Sequence, residues 1–278
     1  MPSDLTPTQP ALGEPTLYRP GSVLQWALVA AKFAGLLGWT GICYTLLIPG
    51  IAVCLVIPRR TAWNAWIQRL WARGLLRVLA VSVERSGRRP QKPFFLVANH
   101  LSYIDILVLG ADLGAVFISK HELGGWPLLG HIAKVTGTLF VDRGRRRDAI
   151  RVLEEIDTVI AGGAGVVLFP EGTSSKGDRI YPLKPALLEW AARREFPVHT
   201  AALRYATGNP ERPAYECVCW WGDGTPLLGH FLGLASLARI RAEVVYGPEA
   251  VVAESRSALA GRVQQALEQT FVPMTMIE

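Results

Sequence analysis

From Ser22 to Ile57 the chain carries a single charged residue, Lys32. Roughly 20 apolar residues cross the hydrocarbon core of a bilayer as a helix, so this stretch is long enough to span one. Pro49-Gly50, inside "LIPGI", interrupts the run. The expectation is a spanning helix over 22–48 followed by a break. A re-entrant hairpin and a helix buried in a soluble core are the alternatives. Residues 1–21 hold Pro2, Pro7, Pro10, Pro15 and Pro20 and read as a disordered tail. They lack the basic start of a secretory signal.

Just beyond, Trp63, Trp66, Ile67, Leu70 and Trp71 recur at helical spacing, and Arg69, Arg73 and Arg77 step by four along a neighbouring face. Tryptophan favours the headgroup level and arginine the cytoplasmic leaflet. Between Arg59 and Lys92 nine basic residues face one acid, Glu84. Residues 22–80 are therefore expected to anchor the chain, with residues 81–278 on the cytoplasmic face of a membrane, taken as a bacterial inner membrane. The opposing reading packs these tryptophans on a globular domain. Composition favours the membrane: 50% of residues are hydrophobic, 19% are charged and the net charge is +6. Apolar and basic together point to membrane phospholipid or an anionic substrate, not to nucleic acid. Cys43, Cys54, Cys217 and Cys219 show no zinc-site spacing and read as reduced core residues.

From about Val81 short apolar runs alternate with helical stretches. Strands are expected at 94–98, 115–118, 138–141, 165–169, 199–204, 216–221 and 240–246, and helices at 102–112, 127–135, 145–161, 183–194 and 254–271. Such alternation predicts an α/β fold with a mostly parallel central sheet flanked by helices.

In such sheets reactive groups gather where strands end and helices begin. Three stretches share that position: Asn99-His100 with Asp105, Gly137 to Arg143, and Phe169-Pro170-Glu171-Gly172-Thr173. His100, with an unperturbed pKa of about 6.5, is suited to accept a proton near neutrality. Asp105, one turn into the next helix, is placed to orient the ring and stabilise its charged form. The competing reading is local: Ser102-x-x-Asp105 is also a capping-box pattern. No Gly-x-Ser-x-Gly nucleophile accompanies His100. A substrate hydroxyl attacking an activated acyl group is thus the natural proton source. Arg143, followed by Gly144, is a candidate anion grip. Glu171, in a strand-ending turn, is placed to accept hydrogen bonds from a polyol or to orient Arg143.

Together these stretches resemble the glycerolipid acyltransferase family, which includes the lysophosphatidate acyltransferases. Asn99, His100 and Asp105 match its Asn-His-x4-Asp motif, Gly137, Phe140 and Arg143 its Gly-x-x-Phe-x-x-Arg motif, and residues 169–173 its Phe-Pro-Glu-Gly-Thr motif. The resemblance covers roughly 80–250. It implies His100 as general base, Asp105 as its orienter, and Asn99 as support for the turn. It implies that Arg143, Glu171 and Gly172 hold the acceptor headgroup, with Gly137, Phe140 and Thr173 beside them. The donor would be acyl-CoA or acyl-carrier protein and the acceptor a lysolipid, first of all 1-acyl-sn-glycerol-3-phosphate. No metal or bound cofactor is expected. Two stretches depart from the pattern. The third motif often continues Thr-Arg-Ser, whereas Ser174 follows Thr173 here, and "FPVHTAALRY" places His199 and Thr200 where apolar residues are common. A lyso-ornithine lipid or another lysophospholipid is the alternative acceptor. A thioesterase and a non-catalytic lipid-binding membrane protein are the readings of a different class.

Overall fold

The computed structural model of the chain describes residues 16–56, 60–126, 129–142, 144–222 and 224–274. Its strands are β1 (Val81–Ser86), β2 (Phe94–Ala98), β3 (Val116–Lys120), β4 (Leu139–Val141), β5 (Gly165–Leu168), β6 (Val198–Ala206) and β7 (Ile240–Tyr246). They form one sheet in the order β1-β7-β6-β2-β5-β3-β4, in which only β6 and β7 pair antiparallel. The mostly parallel α/β sheet expected from the sequence is the one observed. The helices are α1 (Val23–Val56), α2 (Arg60–Val78), α3 (Ile104–Leu113), α4 (Leu129–Val135), α5 (Arg146–Ala161), α6 (Glu189–Arg193), α7 (Ala214–Cys217), α8 (Leu227–Ala235) and α9 (Arg256–Thr270).

β2 is central and its five residues are all buried. Side chains alternate across a strand. Phe94, Leu96 and Ala98 accordingly enter the core under α2 and α3, and Phe95 and Val97 the core under α5, α6 and α9. A continuous apolar run is what a strand covered on both faces requires.

Several elements differ from expectation. Residues 216–221 are not a strand. Their apolar side chains are buried, but α7 and an irregular stretch deliver them to the core, and burial alone cannot separate strand from helix. β1 and α8 were not expected. The stretch 183–194 forms a 3-10 turn (Ala186–Leu188) and the short α6. α1 continues through Pro49-Gly50 instead of breaking there, a tolerance known for long apolar helices.

The N-terminal helices are not a separate module. Ala72, Leu75 and Leu76 of α2, with Leu79, share one core with β2, β6 and α3, so the boundary expected near residue 80 runs through packed side chains. α1 lies along α2. Trp39 Nε1 donates to the Trp71 carbonyl (3.1 Å), and a Cβ at Gly74 would stand 1.9 Å from the Trp39 indole, so only glycine allows this approach. Lys32, the lone charge of the apolar stretch, is buried and donates to the carbonyls of Leu79 (3.0 Å) and Leu237 (2.7 Å). Those carbonyls lie just past the ends of α2 and α8, where helix dipoles favour a cation.

Arg69 and Arg73, expected to face the cytoplasmic leaflet, donate to the carbonyls of Leu113 (2.7 Å) and Ala111 (3.1 Å) at the end of α3. Of the expected tail, residues 1–15 lie outside the described residues. Tyr18 is docked on the domain, its hydroxyl donating to Glu216 (2.9 Å).

Candidate active site

The chain leaves β2 at Ala98 and turns sharply before α3. Asn99 closes the ladder beyond the strand: its Oδ1 accepts the Leu203 N–H (2.7 Å) and its Nδ2 donates to the Leu203 carbonyl (3.1 Å). A side-chain amide thus imitates the peptide group that a longer β2 would offer to β6.

His100 follows, its Nδ1 2.7 Å from Asp105 Oδ2, with side-chain exposures of 24% and 0%. The same Oδ2 accepts the N–H groups of Leu101 (2.7 Å) and Ser102 (2.9 Å), and Oδ1 accepts the Tyr205 hydroxyl (2.6 Å). Burial pushes the Tyr205 hydroxyl well above its ordinary value and keeps it a donor. With these three donors aimed at it, the carboxylate is the acceptor in every bond. Nδ1 therefore carries the proton, and the lone pair is on Nε2. Among the described residues Nε2 has no hydrogen-bond partner. The ring stacks on Phe169 at 4.4 Å, which fixes its plane.

The capping-box alternative is met by half. Asp105 takes the Ser102 N–H, but the Ser102 hydroxyl is buried without a partner and α3 has no side-chain cap. The carboxylate that shapes the turn is the one that orients the imidazole.

Glu171, 2% exposed, reaches the same turn from the end of β5. Its Oε1 accepts the His100 N–H and its Oε2 the Tyr181 N–H, both at 2.8 Å. The His100 carbonyl in turn accepts the Ser175 N–H (2.9 Å). Gly172 takes a φ of +79°, which lets the chain double back after Glu171. Burial raises the Glu171 carboxyl to about 8, against the two N–H donors, which pull it down.

Both carboxylate oxygens thus meet backbone amides, which makes Glu171 a positioning group for His100. In Glu171→Gln one amide would face an NH2 group. The expected result is a kcat lower by about 10- to 100-fold, since small misplacements of a reacting group cost that much, with little change in acceptor KM. A raised KM with unchanged kcat would instead mark a headgroup contact. The proton-linked sign is definite. The folded state holds this proton to about 8 and the free side chain only to 4.5, so the carboxyl's contribution to stability falls as pH rises across that window. Melting curves at the two ends should show that slope in the wild type and its loss in Glu171→Gln.

The second motif stands apart. β4, which carries Phe140 and follows Gly137, is the sheet edge, separated from β2 by β5 and β3. Among the described residues no hydrogen bond joins Gly137 or Phe140 to His100, Asp105 or Glu171. Arg143 lies outside the described residues. Thr173 is half-buried beside Ser174, whose hydroxyl donates to the Trp220 carbonyl, and the Trp220 N–H donates to the Leu101 carbonyl (2.8 Å). His199 sits within β6 opposite Leu96, and burial lowers its pKa.

Tyr205 and Trp220 join the His100 turn from 100 or more residues away. Neither was picked out for this contact in the sequence, because nothing local marks a hydroxyl or an amide that meets a turn so distant.

A dyad with an open Nε2 can chemically accept a proton from a hydroxyl. Comparison with known proteins bears on the family. The sequence profile of the Acyltransferase family matches residues 80–204. The chain is 33% identical over 238 residues to a lyso-ornithine lipid O-acyltransferase of Brucella abortus, covering 78% of this chain and 88% of that protein. It is 31% identical over 215 residues to the lyso-ornithine lipid O-acyltransferase of Rhizobium meliloti (73% and 72% covered). To the 1-acyl-sn-glycerol-3-phosphate acyltransferase of Neisseria meningitidis it is 32% identical over 201 residues (70% and 76% covered). The crystal structure of the 1-acyl-sn-glycerophosphate (LPA) acyltransferase from Thermotoga maritima superposes with a TM-score of 0.64 at 16% identity, covering 90% of this chain and 95% of that one, and so has the same fold. The chain belongs to the acyltransferase family that holds the lyso-ornithine lipid and 1-acyl-sn-glycerol-3-phosphate O-acyltransferases, and it is an enzyme of that family.

Proposed function

We propose that this enzyme transfers a fatty acyl group from a thioester, acyl-CoA or acyl-carrier protein, to the free hydroxyl of a lysolipid. The observation that carries the reading is the His100 imidazole, tied through Nδ1 to the buried Asp105 with Nε2 open. Nε2 takes the hydroxyl proton as the oxygen attacks the thioester carbonyl. The new C–O bond forms, the C–S bond breaks, and the proton passes to the leaving thiolate. The residues provide no covalent acyl intermediate and the reaction calls for no metal or cofactor.

The acceptor we favour is one without a phosphate, with lyso-ornithine lipid as the leading case. Where relatives often place an arginine, Ser174 is turned inward onto the Trp220 carbonyl and offers no charge to a phosphate. Lysophosphatidate is the second reading, favoured by Lys176 and Arg179 in the same loop and by Arg143 in the second motif.

We also propose membrane attachment through α1. Val23–Leu47 is long and apolar enough to cross a bilayer, and Trp26, Phe33, Leu37, Ile42 and Leu46 are exposed on it. Its other face is fastened to α2 and the sheet domain through Lys32 and Trp39. A helix held along a globular domain in this way suits insertion into one leaflet better than a crossing, which would drag the domain in with it.

The test is acyl transfer from labelled acyl-CoA, and separately from acyl-carrier protein, to lyso-ornithine lipid, lysophosphatidate and other lysophospholipids. Turnover with lyso-ornithine lipid is expected. Turnover with lysophosphatidate alone would replace the preferred acceptor, and no turnover with any lysolipid would overturn the reading. Flotation of the same preparation with anionic vesicles is expected, and its loss in Phe33→Asp/Leu37→Asp would assign attachment to the exposed face of α1.

A further inference from the structure

One aromatic group beside the active site has no part in the proton transfer. Tyr103 and Trp126 both stand steeply against the Trp220 indole, with ring centroids 5.9 and 6.2 Å away and planes at 64° and 68° to it. All three side chains are half-buried, neither sealed in the core nor free on the surface. Neighbouring rings set at such angles form adjoining walls, not a stack.

The group is stitched to the reacting turn. Tyr103 belongs to that turn, three residues after His100. Trp220 is held from both sides of its own peptide unit, its N–H on the Leu101 carbonyl (2.8 Å) and its carbonyl on the Ser174 hydroxyl. Ser174 thus holds the backbone that carries the central ring.

The polar edges of two of these rings, Trp220 and Tyr103, are already spent. Trp220 Nε1 donates to the Thr225 carbonyl (3.1 Å). The Tyr103 hydroxyl is 3.2 Å from His230 Nδ1, and His230 Nε2 is 3.0 Å from the Cys219 carbonyl. A carbonyl only accepts, so Nε2 carries the His230 proton and Nδ1 accepts from Tyr103. Burial drops His230 to about 4, which keeps the ring neutral and the arrangement intact at neutral pH. What Tyr103 and Trp220 offer a ligand is thus their π faces, and Trp126 adds a third ring beside them. Such faces attract a cation and repel a phosphate. Lys176 follows the same logic nearby, its ammonium 5.9 Å from the Trp221 ring and two residues along the chain from Ser174.

We infer that Tyr103, Trp126 and Trp220 form the subsite for a positively charged amine on the acceptor's headgroup, with Lys176 placed to meet that headgroup's carboxylate. The inference rests on the lysolipid acyltransferase reading and narrows its acceptor class to zwitterionic amino-acid lipids. Lyso-ornithine lipid has both groups: a free terminal ammonium and an α-carboxylate. An apolar groove for the acyl chain is the other occupant these rings could serve, and it predicts different results.

The experiment compares three acceptors in the full-length enzyme: lyso-ornithine lipid, the same lipid with its terminal amine acetylated, and lysophosphatidate. Trp126→Leu and Trp220→Leu keep apolar bulk but remove the indole. The expected result is a KM for lyso-ornithine lipid raised about 2- to 30-fold in each variant, the range of one cation–π contact. The acetylated lipid should be a poor acceptor for the wild type and indifferent to the substitutions.

Quenching of tryptophan fluorescence by lyso-ornithine lipid without an acyl donor gives a binding readout should a variant lose activity through folding. Wild-type binding that ignores acetylation would overturn the subsite. So would a KM rise shared equally by all three acceptors, which would assign the rings to the acyl chain. Wild-type turnover of lysophosphatidate alone would remove this subsite and leave the acyltransferase reading standing. No turnover with any lysolipid would bring down that reading and the subsite with it.

Discussion

His100→Ala should lower kcat for acyl transfer by about 10²- to 10⁴-fold, the usual contribution of a positioned general base. Melting temperature should barely move, because the ring is partly exposed and its one side-chain hydrogen bond ends on a carboxylate that three other donors already occupy. Asp105→Ala should behave differently. It also removes the acceptor for two backbone N–H groups and a buried tyrosine hydroxyl, so it should lose both activity and stability. Residues acting as one unit are not additive, so the double variant should be about as inactive as either single one. Equal stability losses in His100→Ala and Asp105→Ala would show that the pair serves the turn alone. Single-turnover assays beside denaturant titrations separate the two cases.

Asn99→Ala should cost stability first. Its amide closes both the N–H and the carbonyl of Leu203 in a position only 1% exposed. Truncation leaves two buried backbone groups without partners, each costing about 1–3 kcal/mol. A total of about 3 kcal/mol is a large part of the roughly 5–15 kcal/mol that holds a domain together. The folded fraction should keep its acceptor KM, since the side chain faces β6 and not a substrate. Asn99→Asp should be little better: one oxygen still accepts the N–H, but the other opposes the Leu203 carbonyl. A small stability loss with a large rise in KM would reassign Asn99 to the substrate. Urea titration with parallel kinetics distinguishes the outcomes.

Much of this molecule was legible in one dimension. The limits of β2 and β7 could be read to the residue, because β2 is a fully apolar run and β7 alternates buried Ile240, Ala242, Val244 and Tyr246 with more exposed residues. The three motifs announced themselves at strand ends. Local patterns failed where several structures satisfy the same burial. The run at 216–221 was apolar enough for a strand and is a helical turn with a loop. Pro49-Gly50 looked like a stop, but a long apolar helix passes through it. Arg69 and Arg73 were read as facing the cytoplasmic leaflet, and they close the carbonyl end of α3.

The sequence by itself determined the fold class, the apolar character of α1, and the group of residues from which a proton-transferring site had to come. These follow from periodicity and from residue chemistry, which are local properties. Only the tertiary structure decided what each residue does there. It turned Asn99 toward β6, gave both oxygens of Glu171 to backbone amides, and brought Tyr205 onto Asp105. It also tied the backbone of Trp220 to the Leu101 carbonyl and the Ser174 hydroxyl. The bonds of Glu171 to His100, Asn99 to Leu203 and Tyr205 to Asp105 join residues 71, 104 and 100 positions apart. No local preference encodes them; they arise because parallel strands delivered by long crossovers place distant turns side by side at one end of a sheet.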